Sequence, residues 1–166
     1  MEQAEETKKL KGVGGWLIFP VLGLFLSLYY YGATLLGDIQ LLTAPNAWRR
    51  LTIPGTPEYY ANLAPMAVFE AVSAVGFIAA SIILLVMLFK CKKELPKWMV
   101  RFYIAEIVLA VVQYYSVSKY YSYLPAGMAA DPLREQLYLL IGTTGRSVIW
   151  AWYFRASIRV KNTFVE

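Results

Sequence analysis

The chain has 166 residues, 58% of them hydrophobic and 16% charged, with a formal net charge of +5 and a mean hydropathy of +0.47. That apolar share exceeds the roughly 45–50% of a soluble domain, which excludes a disordered chain and indicates an integral membrane protein. Histidine is absent and cysteine occurs once. Histidine-ligated haem, zinc or copper, a Ser-His-Asp triad, an iron–sulfur cluster and an internal disulfide are therefore excluded, and no cofactor is expected.

Residues 1–12 read as a cytoplasmic segment, in which Glu5 and Lys9 at i,i+4 predict a short surface helix before a hinge at Gly12, Gly14 and Gly15. Val13–Leu36 has no charge and is the first predicted span of a four-span domain over residues 13–155. It is too long for a signal-peptide core, follows acidic residues and lacks a small-x-small site, so no signal peptide is expected. Gly37–Ala64 is a proline-punctuated outer loop in which Thr56-Pro57 reads as an N-cap and first helical residue. Short interfacial helices over the outer mouth of the bundle are predicted there.

Pro65–Phe89, whose one charge is Glu70, is the second span, with Pro65 opening it. A basic turn, Lys90–Lys97, follows; its lone Cys91 reads either as incidental or as a reactive or acylated thiol. Trp98–Ser118, with Arg101 and Glu106, is the third span. Asp131-Pro132 in the second outer loop is predicted to start helix four ahead of the hydrocarbon, and Leu137–Phe154, with only Arg146, is the fourth span. Residues 156–166 form a cytoplasmic tail that continues helix four, with Arg155 and Arg159 one turn apart and Lys161 beyond. Each span is near the ~20 residues that cross a bilayer core. The first two lack the polar face that a helix of a soluble protein keeps. The fold class is thus all-α, a four-helix transmembrane bundle.

Eleven Lys and Arg flank the spans on the side of the two termini, four lie in the other two loops, and Arg146 is inside a span. The positive-inside rule places both termini in the cytoplasm. Trp16, Trp98, Trp150 and Trp152 mark the cytoplasmic ends, while 11 of 13 tyrosines fall in the outer halves or outer loops. They fit an interfacial belt or an outward-facing vestibule lined by phenols. Arg155, Arg159 and Lys161 are candidate contacts for anionic lipid headgroups or plain topology anchors. The basic residues are split among separate segments, so no nucleic-acid partner is expected.

Small residues recur at helical spacing, as in Gly23 with Ser27, Gly76 with Ala80, and Gly142 with Gly145, which predicts close helix packing. This fits a compact bundle and leaves a homo-oligomer or larger membrane complex open.

Gly14-Gly15-Trp16-Leu17-Ile18, the basic turn closing on Pro96, and Tyr153-Phe154 with Ser157, Arg159-Val160-Lys161 and Thr163-Phe164 together resemble the bacterial multi-pass membrane family catalogued as domain of unknown function 2569. The resemblance implies a four-helix protein of the bacterial inner membrane and carries no activity over. Family members often have proline between the tryptophan and tyrosine near the end of span four; Trp152 stands there in this chain.

An ionisable residue in a span is a functional candidate, because holding it in hydrocarbon costs ~2.5–3.5 kcal/mol or more unless paired or hydrated. Three qualify: Glu70, Glu106 and Arg146. At 1.5 Å per residue Glu106 lies roughly 12 Å above Trp98 and Arg146 roughly 14 Å above Arg155, so the two are predicted to meet. Gln113, at i+7 from Glu106, extends the same face outward. The group reads as a structural pair fixing register or as a ligand or proton site. Glu70 is predicted near the outer end, paired with Arg49, Arg50 or Arg134, or else as a first site for a cation or proton. No catalytic residue is predicted. Two functions follow: an accessory or scaffold subunit of a membrane complex, or a small proton- or cation-coupled transporter or channel. A lipid-acting enzyme would need a nucleophile–base pair or metal cluster that the sequence does not offer.

Overall fold

The computed structural model describes residues 14–56, 59–122 and 126–165, without the side chains of 126–130. The surface helix expected around Glu5 and Lys9, Gly12 of the hinge and Pro57 of the Thr56-Pro57 signal lie outside these residues. Every regular element among the described residues is helical. After a 3-10 turn at Gly15–Leu17 come α1 (Ile18–Thr43), α2 (Pro45–Thr52), α3 (Leu63–Phe89), α4 (Leu95–Tyr121), α5 (Ala126–Ala156) and α6 (Ile158–Thr163). Two stretches, Gly15–Thr43 and Leu63–Phe89, are long and apolar enough to cross a membrane, and only 28% of the apolar window in each is buried in the molecule.

α1 runs seven residues past Leu36, because Gly37-Asp38-Ile39-Gln40 offers no breaker strong enough to stop it; Ala44 turns the chain, and Pro45 starts α2. α2 is the one helix seen in the first loop, packed on α1 and α3. Thr56 does not cap a helix there: its hydroxyl donates to the carbonyls of Arg50 and Ile53 and closes the turn behind α2. α3 ends in a Schellman-type turn, with Lys92 N–H on Met87 O at 3.0 Å and Cys91 N–H on Leu88 O at 3.1 Å. Cys91 takes the left-handed position of that turn, at φ +51°, which gives the cysteine a backbone role. Pro96 in the first turn of α4 then restarts the helix.

α5 starts at Ala126, a turn and a half before Asp131-Pro132, and so carries that pair inside it. It also stops sooner than expected. Ser157 adopts an extended backbone and accepts a hydrogen bond from Val160 N–H at 3.4 Å, so a separate helix, α6, begins where a continuation of helix four was predicted. The break turns Val160, Thr163 and Phe164 inward.

α1 packs mainly on α3 and α4 on α5, with a lighter seam between α3 and α4. The main core lies at the end where the described termini meet: Leu17 of the 3-10 turn, Leu24 of α1, Leu84, Leu85 and Leu88 of α3, Leu95 and Met99 of α4, Phe154, Val160 and Phe164. The glycines predicted to mediate close approach do not do so. A Cβ at Gly23, Gly76, Gly142 or Gly145 would meet nothing within 4 Å. Ser27, Ala74, Ser81 and Ser147, all buried, are the small residues at the seams. Gly15 is different: at φ +56° its bare backbone lies under the Arg159 guanidinium, which a Cβ there would strike.

Candidate functional site

Glu106 sits in the middle of α4 on the face turned to α1 and α5, with 1% of its side chain exposed. Leucine, methionine and phenylalanine on the same face as far as Met99 and Phe102 pack into the core below it. Its two oxygens take three donors from the neighbouring helices. Ser27 Oγ of α1 donates to Oε1 at 3.4 Å, and Ser147 Oγ and Arg146 Nη2 of α5 both donate to Oε2 at 3.1 Å. A carboxylate out of water needs such donors, and the charge-assisted bond to Arg146 is the strongest type present.

Arg146 is the more open partner, with 41% of its side chain exposed. It borders a cleft of about 440 Å3 between α1 and α5 whose floor is α4, lined also by Ser27, Tyr30, Gln113, Gln136 and Thr143. Gln113 is not part of the Glu106 pair. Its amide donates to Glu70 Oε1 at 3.1 Å, joining α4 to α3. A smaller cavity of about 130 Å3 beside Glu70 shares Tyr30, Gln113 and Gln136 with the main cleft. The polar surface therefore continues from Glu70 to Arg146.

The loop cations expected for Glu70 are placed otherwise. Arg134 pairs with Asp131 at 2.8 Å on the surface, and among the described residues no ion pair joins Glu70 to Arg49, Arg50 or Arg134. The reason is register: α3 starts at Leu63, so Glu70 lies two turns inside the helix, level with Gln113. Of the tyrosine clusters, Tyr29-Tyr30-Tyr31 lines the cleft together with Tyr138. Tyr31 is also stacked on Phe77 at 4.7 Å, while Tyr120 packs edge-on against Tyr60 at 5.4 Å away from the cleft.

Three polar residues escaped the sequence reading. Ser27 was read only as a small packing residue and Ser147 was not singled out, although Ser147 follows Arg146 directly and could have been paired with Glu106 on that ground. Asp38 fell to the loop, yet it lies in α1, is 8% exposed, and has one carboxylate oxygen buried without a hydrogen-bond partner among the described residues. It stands close enough to Glu70 for their charges to interact.

At the other end of the molecule, Arg159 is held against Gly14 and Gly15 with its Nε buried, while Arg155 and Lys161 are exposed. The break at Ser157 causes this, since a continuous helix would leave Arg159 one turn above Arg155 on the surface. The Gly14-Gly15 and Arg159-Val160 motifs, far apart in sequence, thus form a single contact. The profile of the family described as protein of unknown function, DUF2569, matches residues 10–165. The chain belongs to this family. No curated protein and no solved structure matches it. Both halves of the Gly15–Arg159 contact fall inside the region shared with DUF2569.

Proposed function

We propose that this DUF2569 protein is a four-span protein of the bacterial inner membrane, both termini cytoplasmic, that serves as a non-catalytic accessory or scaffold subunit of a larger membrane complex. Four spans are supported by the outward faces of α4 and α5. Ile104, Val108 and Val111 on one and Leu139, Ile141, Val148, Ile149 and Trp152 on the other are exposed. Glu106 and Ser147 turn inward between the helices. Lys97, Lys119, Asp131, Arg134 and Arg155 are exposed toward the ends of the two helices, and Arg101 lies on the outer face about one turn further in. At 27 and 31 residues each is long enough for a bilayer core of about 30 Å.

The observation that carries the accessory reading is the engagement of Glu106. Its two oxygens are bonded by three donors from α1 and α5, so the carboxylate works as a fastener between helices, a role for which a proton need never leave. Surface for a partner is present in the open glycines and in an apolar groove of about 670 Å3 between α3 and α4, lined by Gly76, Ala80, Ile83, Trp98 and Ala105. The second reading, a proton- or cation-coupled carrier, is favoured by the polar surface running from Glu70 to Arg146.

Reconstituted vesicles with an internal pH dye and a panel of lipophilic cations separate the two. An accessory subunit gives no flux above empty vesicles; flux that vanishes with Glu106→Gln in a folded protein reverses the ranking. Orientation is tested by Cys labelling in a Cys91→Ala background. Asn162→Cys is expected to be shielded from periplasmic reagents, and its labelling there would overturn the topology.

A further inference from the structure

The guanidinium of Arg146 has five N–H donors, and among the described residues only one hydrogen bond, to Glu106, engages them. Its side chain borders the cleft and is 41% exposed. Near it the one carboxylate, Glu106, already has both oxygens engaged, and Thr143 and Tyr30 present hydroxyls, with the amides of Gln113 and Gln136 farther along the cleft. Leu26, Leu109, Leu139 and Leu140 supply apolar wall between these polar groups, and Tyr29 and Tyr138 also line the cleft. A site with an open guanidinium and hydroxyls, apolar wall and an opening sideways between two helices matches one kind of molecule, an oxygen-headed amphiphile.

We infer that the α1–α5 cleft is a binding site for an amphiphile with an anionic oxygen head, a carboxylate or a phosphate, its head on Arg146 and its chain leaving between α1 and α5. The volume, about 440 Å3, lies in the range of small-ligand sites, roughly 300–1,000 Å3. Anion binding is local in origin, since Glu106 cancels the net charge of Arg146. It comes from hydrogen bonds of the guanidinium edge that Glu106 leaves open, at a depth where water is scarce and such bonds are strong. The depth rests on the four-span reading, which sets Arg146 roughly 14 Å from the cytoplasmic end of its helix.

The test uses the full chain purified in an uncharged detergent, with radiolabelled oleate as the probe and oleyl alcohol and phosphatidylglycerol as competitors. Saturable oleate binding is expected, with oleyl alcohol competing at least roughly tenfold more weakly, the worth of one charge-assisted hydrogen bond. Gly142→Leu, which projects into the cleft from a position with no neighbour within 4 Å, is expected to weaken oleate at least roughly tenfold while melting like the wild type. Arg146→Gln is expected to abolish the preference for oleate over oleyl alcohol, and Gly142→Leu keeps the test decisive should that variant fail to fold. Competition by phosphatidylglycerol identifies the phosphate of a bilayer lipid as the source of the head; failure to compete identifies a free single-chain acid. Equal competition by oleyl alcohol and oleate, or undiminished binding by Gly142→Leu, overturns the inference. The four-span reading has its own test in Arg134→Cys, which periplasmic reagents label if α4 and α5 span the membrane and leave unlabelled if they do not, so the two failures are distinguishable.

Discussion

The end of the molecule where the described termini meet is a closed, apolar plug, whereas the opposite half is cleft open between α1 and α5 and lined by hydroxyls, amides and charges. Leu17, Leu88, Leu95 and Met99 at the plug are wholly buried. Above Glu106, only Tyr31, Ala74 and Leu109 form a comparable cluster. The difference arises from chain ends as much as from span composition. α6 and the Gly15 turn add a layer across the plug, and among the described residues nothing equivalent spans the gap between α1 and α5. Tight packing in one half fixes the helices so that the other can stay open without collapsing, a division of labour that a uniformly packed bundle cannot offer.

The sharpest way to break the plug is Phe164→Ala. Phe164 is 5% exposed and lies beyond the last helix, so its loss empties the layer made by α6. A cost of about 3–5 kcal/mol is expected from the cavity and lost contacts, measured by denaturation in mixed micelles. A change under about 1 kcal/mol would mean that α6 is not part of the core.

At the boundary between the halves, Glu106→Gln should cost about 3–5 kcal/mol, because it puts an amide among three donors and strands Arg146. The structure makes the pair unequal: Arg146 is 41% exposed against 1% for Glu106. Arg146→Gln should therefore cost at least as much, about 3–5 kcal/mol, because what it leaves behind is the buried Glu106 carboxylate without its countercharge, whereas Glu106→Gln leaves the more open partner. The double variant should recover part of the combined loss; strict additivity would dissolve the pair as an energetic unit.

Gly15→Ala probes the contact between the two terminal motifs. A Cβ at φ +56° is strained in itself and strikes Arg159, so a loss of about 1–2 kcal/mol is expected. Arg159→Ala in the same background should relieve the steric part. If it does not, the backbone conformation of Gly15 carries the whole cost.

The long helices were legible because length and hydropathy are local properties, and the depths of Glu106 and Arg146 followed from counting along two helices. What stayed hidden depended on which way a helix faces or where it stops. Residues 155–161 contain no glycine or proline, so the break at Ser157 has no strong local signal; burial of Val160 and Phe164 against the rest of the molecule decides it. Glu70 was matched to loop cations by depth, and Gln113, which lines the same cleft as Glu106, was assigned to that pair, since spacing along one helix does not say which neighbouring helix a side chain reaches. The glycines misled for a related reason. Small residues permit close approach and do not compel it.

Gly142 provides the smallest effect and the most direct contrast. It lies inside α5, on the open cleft, with nothing within 4 Å of where a Cβ would stand. Helical glycine carries excess freedom in the unfolded chain, so Gly142→Ala should stabilise by about 0.4–1 kcal/mol, opposite in sign to Gly15→Ala. The same substitution thus reads the two halves against each other: where the chain is packed a single carbon is refused, and where it is open it is welcome. A destabilisation by Gly142→Ala would mean that the cleft closes in the membrane, either by α1 meeting α5 or by a second chain lying over the glycine, and a crosslink between Leu26→Cys and Leu139→Cys within one chain or between two would say which.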